Sequence, residues 1–163
     1  MRETGTLLSF RPSIKVMDAT MRDGGLVNKF AFSDEWVRAL VSANVRAGVD
    51  YMELGYKSDP DLFDENKFGL WKFCRDEEVF NVLGGVPEGL KLSCMADVGR
   101  CNFRRDICEK GNSLVDMYRV ATYINSIPAA IEMLEYCDKL GYETTVNVMA
   151  ISKETEKETD LAL

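Results

Sequence analysis

Apolar positions along this chain alternate between two rhythms. Five short runs rich in β-branched or otherwise apolar residues, 14–19 (IKVMDA), 51–55 (YMELG), 91–97 (KLSCMAD), 114–120 (LVDMYRV) and 143–150 (ETTVNVMA), read as buried strands. Between them the spacing becomes helical. Ser33 is placed to cap a helix whose first turn carries Asp34 and Glu35, beside the positive end of the helix dipole. Val37, Leu40, Val41 and Val45 fall on one face of that helix, and Gly48 is its natural stop. A second helix is expected over 70–83 (LWKFCRDEEVFNVL), after a polar loop, KSDPDLFDENKFG, that should lie on the surface. A third runs from Pro128 to Leu140, with proline in its first turn and Gly141 as terminator. Residues 101–112 leave room for only a short helix, and SKETEKETDLAL resembles the first turns of another.

Strand then helix, repeated, predicts parallel strands with right-handed crossovers and helices on the outer side. About five such units account for 1–163 as one α/β domain, either a parallel barrel or an open doubly wound sheet.

Charge narrows the partners. A formal net charge of -7 works against binding nucleic acid or an anionic membrane surface, since both are themselves negative. No run reaches about 18 apolar residues, and MRETGTLLSFRPSIK lacks the apolar core and cleavage site of a signal peptide, so the cytoplasm is expected. Five cysteines, an odd number without a CxxC pair, also fit a reducing compartment. Cys94, Cys101 and Cys108 recur every seven residues, which reads either as a thiolate metal site or as one strand cysteine and two in the following loop or helix. The chain has no histidine.

The polar residues carry the chemistry. Asp18, Arg22 and Asp23 lie at the C-terminal end of the first strand; Glu53 lies near the end of the second, Asp97 of the third, Arg119 of the fourth and Asn147 of the fifth. On a parallel sheet all of them approach one rim, where a barrel places its active site and an open sheet its ligand. These ions could instead pair with one another, Arg22 with Glu53 for instance, and merely cap the core. Repeating the desolvation cost on five successive strands argues for a site. Gly24 and Gly25 read either as a simple turn or as a close backbone approach to a ligand, and neither belongs to a phosphate-binding motif.

DATMRDGG, residues 18–25, resembles the DxTLRDG signature of the DRE-type metallolyases, a TIM-barrel superfamily that includes hydroxymethylglutaryl-CoA lyase and 4-hydroxy-2-oxoacid aldolases. VDYMELGYK is similar to its second-strand segment, with VDMYRVA and VNVMAIS at strands four and five, and RDGGLVNKFAF looks closest to an aldolase-like branch. The resemblance implies the fold class α/β, a parallel (β/α) TIM-barrel type, incomplete, with about five βα units present; since a complete barrel has eight strands, it implies that 1–163 is the N-terminal part of a single aldolase or lyase catalytic domain. The resemblance implies that Asp23 is a ligand of a divalent cation (Mn, Mg or Zn) acting as a Lewis acid on a 2-oxo acid or related acyl substrate. It implies that Arg22 stabilises the developing enolate oxygen. Asp18, Glu53, Arg119 and Asn147 become candidates for substrate binding or proton transfer. A small-molecule substrate is the implied partner, and the resemblance allows a homo-oligomer.

The superfamily takes two further metal ligands from an HxH motif on a later strand, which this chain lacks. A cation is therefore expected to be poorly held by this chain alone, and the isolated chain to be inactive. Two other readings compete with the enzyme segment: a non-catalytic half-barrel acting as an interaction module, and a self-sufficient flavodoxin-like domain binding a small ligand at its switch point.

Overall fold

A computed structural model describes residues 13–162. Most of the N-terminal stretch read for a signal peptide lies outside the described residues. The elements run β1 (Met17–Asp18), α1 (Thr20–Asn28), α2 (Asp34–Ala47), β2 (Tyr51–Tyr56), α3 (Asp76–Leu83), β3 (Lys91–Asp97), α4 (Phe103–Asp106), β4 (Met117–Thr122), α5 (Ile127–Lys139), β5 (Glu143–Val148) and α6 (Glu156–Ala162). The five strands form one sheet in the order β1-β2-β3-β4-β5, every pairing parallel. The sheet curls into an incomplete barrel with its helices outside. Its order contains no reversal, so the flavodoxin-like reading, which needs a switch point, is overturned.

The outward strand residues Met52, Leu54, Leu92, Cys94, Tyr118 and Val120 are buried beneath the helices, with Val37, Val79, Ala130 and Met133 packed onto them. Burial of this apolar face supplies the main driving force for folding. Ser33 caps α2 by accepting from the Trp36 amide at 3.3 Å, and Gly48 ends it in the left-handed region, as the spacing predicts. α5 likewise begins with Pro128 in its first turn, and Gly141 follows it at φ 93. No helix of the described residues is long and apolar enough to cross a membrane.

Several elements differ from the sequence expectation. Only Met17 and Asp18 of the first run join the ladder, while Ile14 and Val16 stay exposed, because an edge strand has a single neighbour to pair with. The fourth strand begins at Met117 rather than 114, after Asp116 turns to accept from the Leu92 amide at 2.8 Å. Gly24 and Gly25 sit inside α1 rather than in a turn. A Cβ at Gly25 would collide with the Phe30 ring, so its glycine serves close packing. The helix expected over 70–83 divides into a 3₁₀ turn, Leu70–Lys72, and α3. Cys74 between them has φ 41, and a Cβ at Gly55 would strike the Trp71 carbonyl oxygen. The turn is thus pressed onto β2, and a continuous helix could not follow it there. In the loop before it, Lys57 and Ser58 are buried rather than on the surface.

Candidate functional site

Glu53 is the centre of the arrangement. It lies on the inward face of β2, fully buried, and its Oε2 accepts from Arg22 Nε at 3.0 Å and from Arg119 Nη1 at 2.8 Å. Arg22 comes from the first turn of α1 and Arg119 from β4, so the curl of the sheet brings together residues from three separate regions of the chain. Oε1 of Glu53 is buried without a partner among the described residues. Burial pushes the Glu53 carboxyl above the usual glutamate range, outweighing the pull of Arg119 and Arg22. The pairing of Arg22 with Glu53 anticipated as a structural cap is therefore present, but with one carboxylate oxygen left over.

Arg22 is fixed from a second side by Asp23, whose carboxylate lies 2.8 Å from Nη1. The Asp23 side chain itself is 61% exposed. Asp18 is committed elsewhere: its Oδ1 accepts from the Thr20 amide at 3.0 Å and from the Thr20 hydroxyl, and its Oδ2 from Asn44 Nδ2 at 2.8 Å. That is the local chemistry of an aspartate starting a helix. It ties β1 to α1 and α2 rather than facing the arginines. Asn147 lies on edge strand β5 opposite Ala121, half-buried, and takes no part in the Glu53 cluster.

The structure adds Tyr56 and Lys72, which the strand-end pattern did not single out, and brings Asp97, which it did, to the same group. A register irregularity between Glu53 and Tyr56 turns Tyr56 toward Arg22, which interacts with its hydroxyl, and burial raises the phenol above its usual range. Asp97 ends β3 beside the same group; burial raises its carboxyl while Lys72, Arg100 and Arg22 draw it back, and its Oδ1 is buried without a partner among the described residues. Lys72, from the 3₁₀ turn, is 8% exposed. The bulge that aims Tyr56 and the broken helix that carries Lys72 have no signature in apolar periodicity.

A divalent cation needs several hard ligands converging on one point. Among the described residues no group of three histidine, cysteine, aspartate or glutamate side chains gathers to hold one. Asp23 is paired with Arg22, and Glu53 is taken by two guanidinium groups. These residues do not by themselves fit a resident metal, and Asp23 would be a single anchor for one. The seven-residue cysteine spacing does not make a thiolate site either: Cys94 is buried in the outer layer, Cys101 and Cys108 lie before and after the short helix α4, and burial raises all three thiols.

No family model matches the chain. It is 26% identical over 149 residues to a 4-hydroxy-2-oxovalerate aldolase from Pelotomaculum thermopropionicum, an alignment covering 90% of this chain and 42% of that protein. It is 25% identical over 152 residues to 4-hydroxy-2-oxovalerate aldolase 6 from Rhodococcus jostii, covering 91% of this chain and 41% of the relative. The chain thus spans less than half the length of these curated relatives. Its fold is similar to the crystallised N-terminal domain of a "putative aldolase" from Bacteroides vulgatus, with a TM-score of 0.74, 23% identity, and coverage of 89% of this chain and 48% of the other. The homologues are aldolases, in agreement with the resemblance carried by DATMRDGG.

Proposed function

We propose that this chain supplies the first five βα units of an aldolase-type lyase that cleaves or forms a carbon-carbon bond next to a 2-oxo acid. The observation that carries the reading is Arg22, held at the barrel mouth by Glu53 on one side and Asp23 on the other. A guanidinium fixed in this way is a preorganised partner for an oxygen that gains negative charge, and it does not reorganise when the charge appears.

In the cleavage direction, the 4-hydroxyl of a 4-hydroxy-2-oxo acid loses its proton and becomes an aldehyde carbonyl. The C3–C4 bond breaks, and its electron pair moves into C2–C3 to leave an enolate oxygen at C2. Arg22 binds that oxygen, and protonation at C3 then releases the 2-oxo acid. Asp97 is the group best suited to take the hydroxyl proton: its raised carboxyl and unpartnered Oδ1 sit beside Arg22. Glu53 and Arg119 position Arg22, and Asp18 fastens the start of α1 on which it stands.

The test is release of a 2-oxo acid from 4-hydroxy-2-oxo acids by the complete protein, followed by coupled reduction with NADH. Arg22→Lys should lower turnover on the order of 100-fold, the usual cost of losing an oxyanion donor. Absence of release by the wild type, or an Arg22→Lys variant with wild-type turnover, would overturn the proposal.

A further inference from the structure

Two lysines of this chain are withdrawn from water, and they are treated in opposite ways. Lys57 donates to Asp76 Oδ2 at 2.7 Å and to the Cys74 carbonyl at 2.9 Å, the usual treatment of a buried ammonium. Burial acts to lower its proton affinity, but Asp76 outweighs it and the net shift is upward. Lys72 has no such partner among the described residues. Its Nζ is ringed by aromatic faces, 4.2 Å from the ring centre of Phe63, 4.6 Å from Tyr56, 5.3 Å from Phe30 and 5.8 Å from Phe68. The nearest negative charge acting on it, Asp97, does so at a distance without a hydrogen bond, and burial leaves its proton affinity below that of an ordinary lysine.

The setting is built. A Cβ at Gly69 would strike the Phe30 carbonyl oxygen, and one at Gly55 the Trp71 carbonyl oxygen, so two glycines let the turn that leads into Lys72 press against Phe30 and β2. Cys74 holds a left-handed backbone just beyond it. Tyr56 belongs both to the aromatic ring around Lys72 and to the surroundings of Arg22, so the two cations share a wall. Aromatic faces stabilise an ammonium without supplying the directed hydrogen bonds that a carboxylate would. They leave its donors available to an anion.

We propose that Lys72 and its aromatic ring form a carboxylate-binding subsite next to Arg22, which receives the carboxylate of the 2-oxo acid while Arg22 meets the oxygen at C2. This assignment rests on the reaction proposed above for the substrate's identity, and on Lys72 alone for the anion. The subsite selects charged acids over their neutral esters. It also sets the orientation of the substrate, since a carboxylate anchored at Lys72 places the adjacent carbonyl toward Arg22.

The experiment is calorimetric titration of the complete protein with pyruvate and with methyl pyruvate, comparing wild type, Lys72→Met and Lys72→Arg, each checked for cooperative thermal unfolding. The wild type should bind pyruvate at least about tenfold more tightly than the ester, as expected for a charge-assisted contact in a desolvated site. Lys72→Met should bring the two affinities together, and Lys72→Arg should keep part of the preference. A purely structural lysine would alter unfolding without changing the acid-to-ester ratio. Retention of the ratio in Lys72→Met, or failure of the wild type to bind either compound, overturns the subsite. So does reduction with cyanoborohydride that fixes pyruvate covalently on Lys72, because the residue would then act as an amine rather than as an ion. If the ratio depends on Lys72 but no aldol is cleaved, the subsite stands and the proposed reaction falls. If cleavage occurs and the ratio is indifferent to Lys72, the reverse holds.

Discussion

The two ends of this incomplete barrel carry the same kinds of charged residue and treat them differently. At the N-terminal ends of the strands, Lys15 pairs with Asp50 at 2.9 Å, Lys91 pairs with Glu143, and Lys110 lies 3.2 Å from Asp116. These groups keep contact with water. The Val16 amide and Lys15 hold Asp50 below the usual carboxylate range, and Lys91 and Tyr51 do the same for Glu143. At the C-terminal ends the carboxyls of Glu53 and Asp97 are pushed the other way by burial, and Lys72 loses proton affinity. Charges at one end are therefore arranged for their own stability, while at the other they are kept under tension with unpartnered oxygens. A cleft of about 390 Å³ also opens at the N-terminal end, lined by Lys15, Asp50, Lys91 and Asp116. A smaller hollow of about 230 Å³ lies just past β2, lined by Lys57, Asp76 and Arg105. Neither hollow includes Arg22, Glu53 or Asp97, so in this molecule electrostatics is a better guide to the chemistry than hollow space.

The largest effect that could break this contrast comes from Glu53→Gln. The amide keeps the shape but loosens its hold on Arg22 and Arg119, so turnover should fall on the order of 100-fold. Stability should change by no more than about 1 kcal/mol, because the cost of burying the carboxylate nearly offsets its attraction to the arginines. The sign with pH is specific. With a folded-state value above the unfolded one, Glu53 contributes stability that is present below the unfolded pKa and lost as pH rises through the folded value. Urea unfolding across pH, with steady-state rates at each pH, checks both parts; a large loss of stability with unchanged turnover would make Glu53 a structural residue after all.

Tyr56→Phe sharpens the contrast with a smaller change. The ring that faces Lys72 remains, while the hydroxyl beside Arg22 is lost, so turnover should fall roughly tenfold and stability by about 1 kcal/mol. Pyruvate should still bind more tightly than its ester in this variant. The smallest effect belongs to the other end. Glu143→Gln should cost about 0.5 kcal/mol at neutral pH, as exposed pairs do, and leave turnover unchanged. Its folded-state value is lowered, so its contribution is present above the unfolded pKa and lost as pH falls through the folded one. Thermal unfolding curves of Glu143→Gln and wild type should therefore converge in acid and separate toward neutrality.

Legibility in the sequence follows how local each cause is. The α2 cap at Ser33, the α5 entry at Pro128 and the core of β3 are decided by neighbours along the chain, and apolar spacing finds them. The limits of β1 are not, because Ile14 and Val16 look buried until the sheet edge leaves them exposed. Arg22, Glu53 and Arg119 can be assigned to one rim because parallel strands bring their ends together. The diversion of Asp18 to Thr20 and Asn44 could not be read, since it depends on α2 packing beside β1. Lys72 was still less visible. In a helical pattern a lysine belongs on the wet face, and Phe30, Tyr56, Phe63 and Phe68 meet around it only after the turn has been pressed onto β2.

The unequal strands at the two margins of the sheet give it a polarity. β1 offers two residues to a newcomer, too short a row to guide one, whereas β5 presents six, Glu143–Val148, whose outer amides and carbonyls have no strand beyond them among the described residues. Val146 is exposed on that strand, so apolar surface and unsatisfied backbone coincide. Such a margin is a template: any extended segment of suitable pattern, from the same molecule or a neighbouring one, meets ready hydrogen-bonding partners there and few at β1. Growth of the sheet, whether it completes a barrel or joins one molecule to the next, is thereby biased to begin from one side.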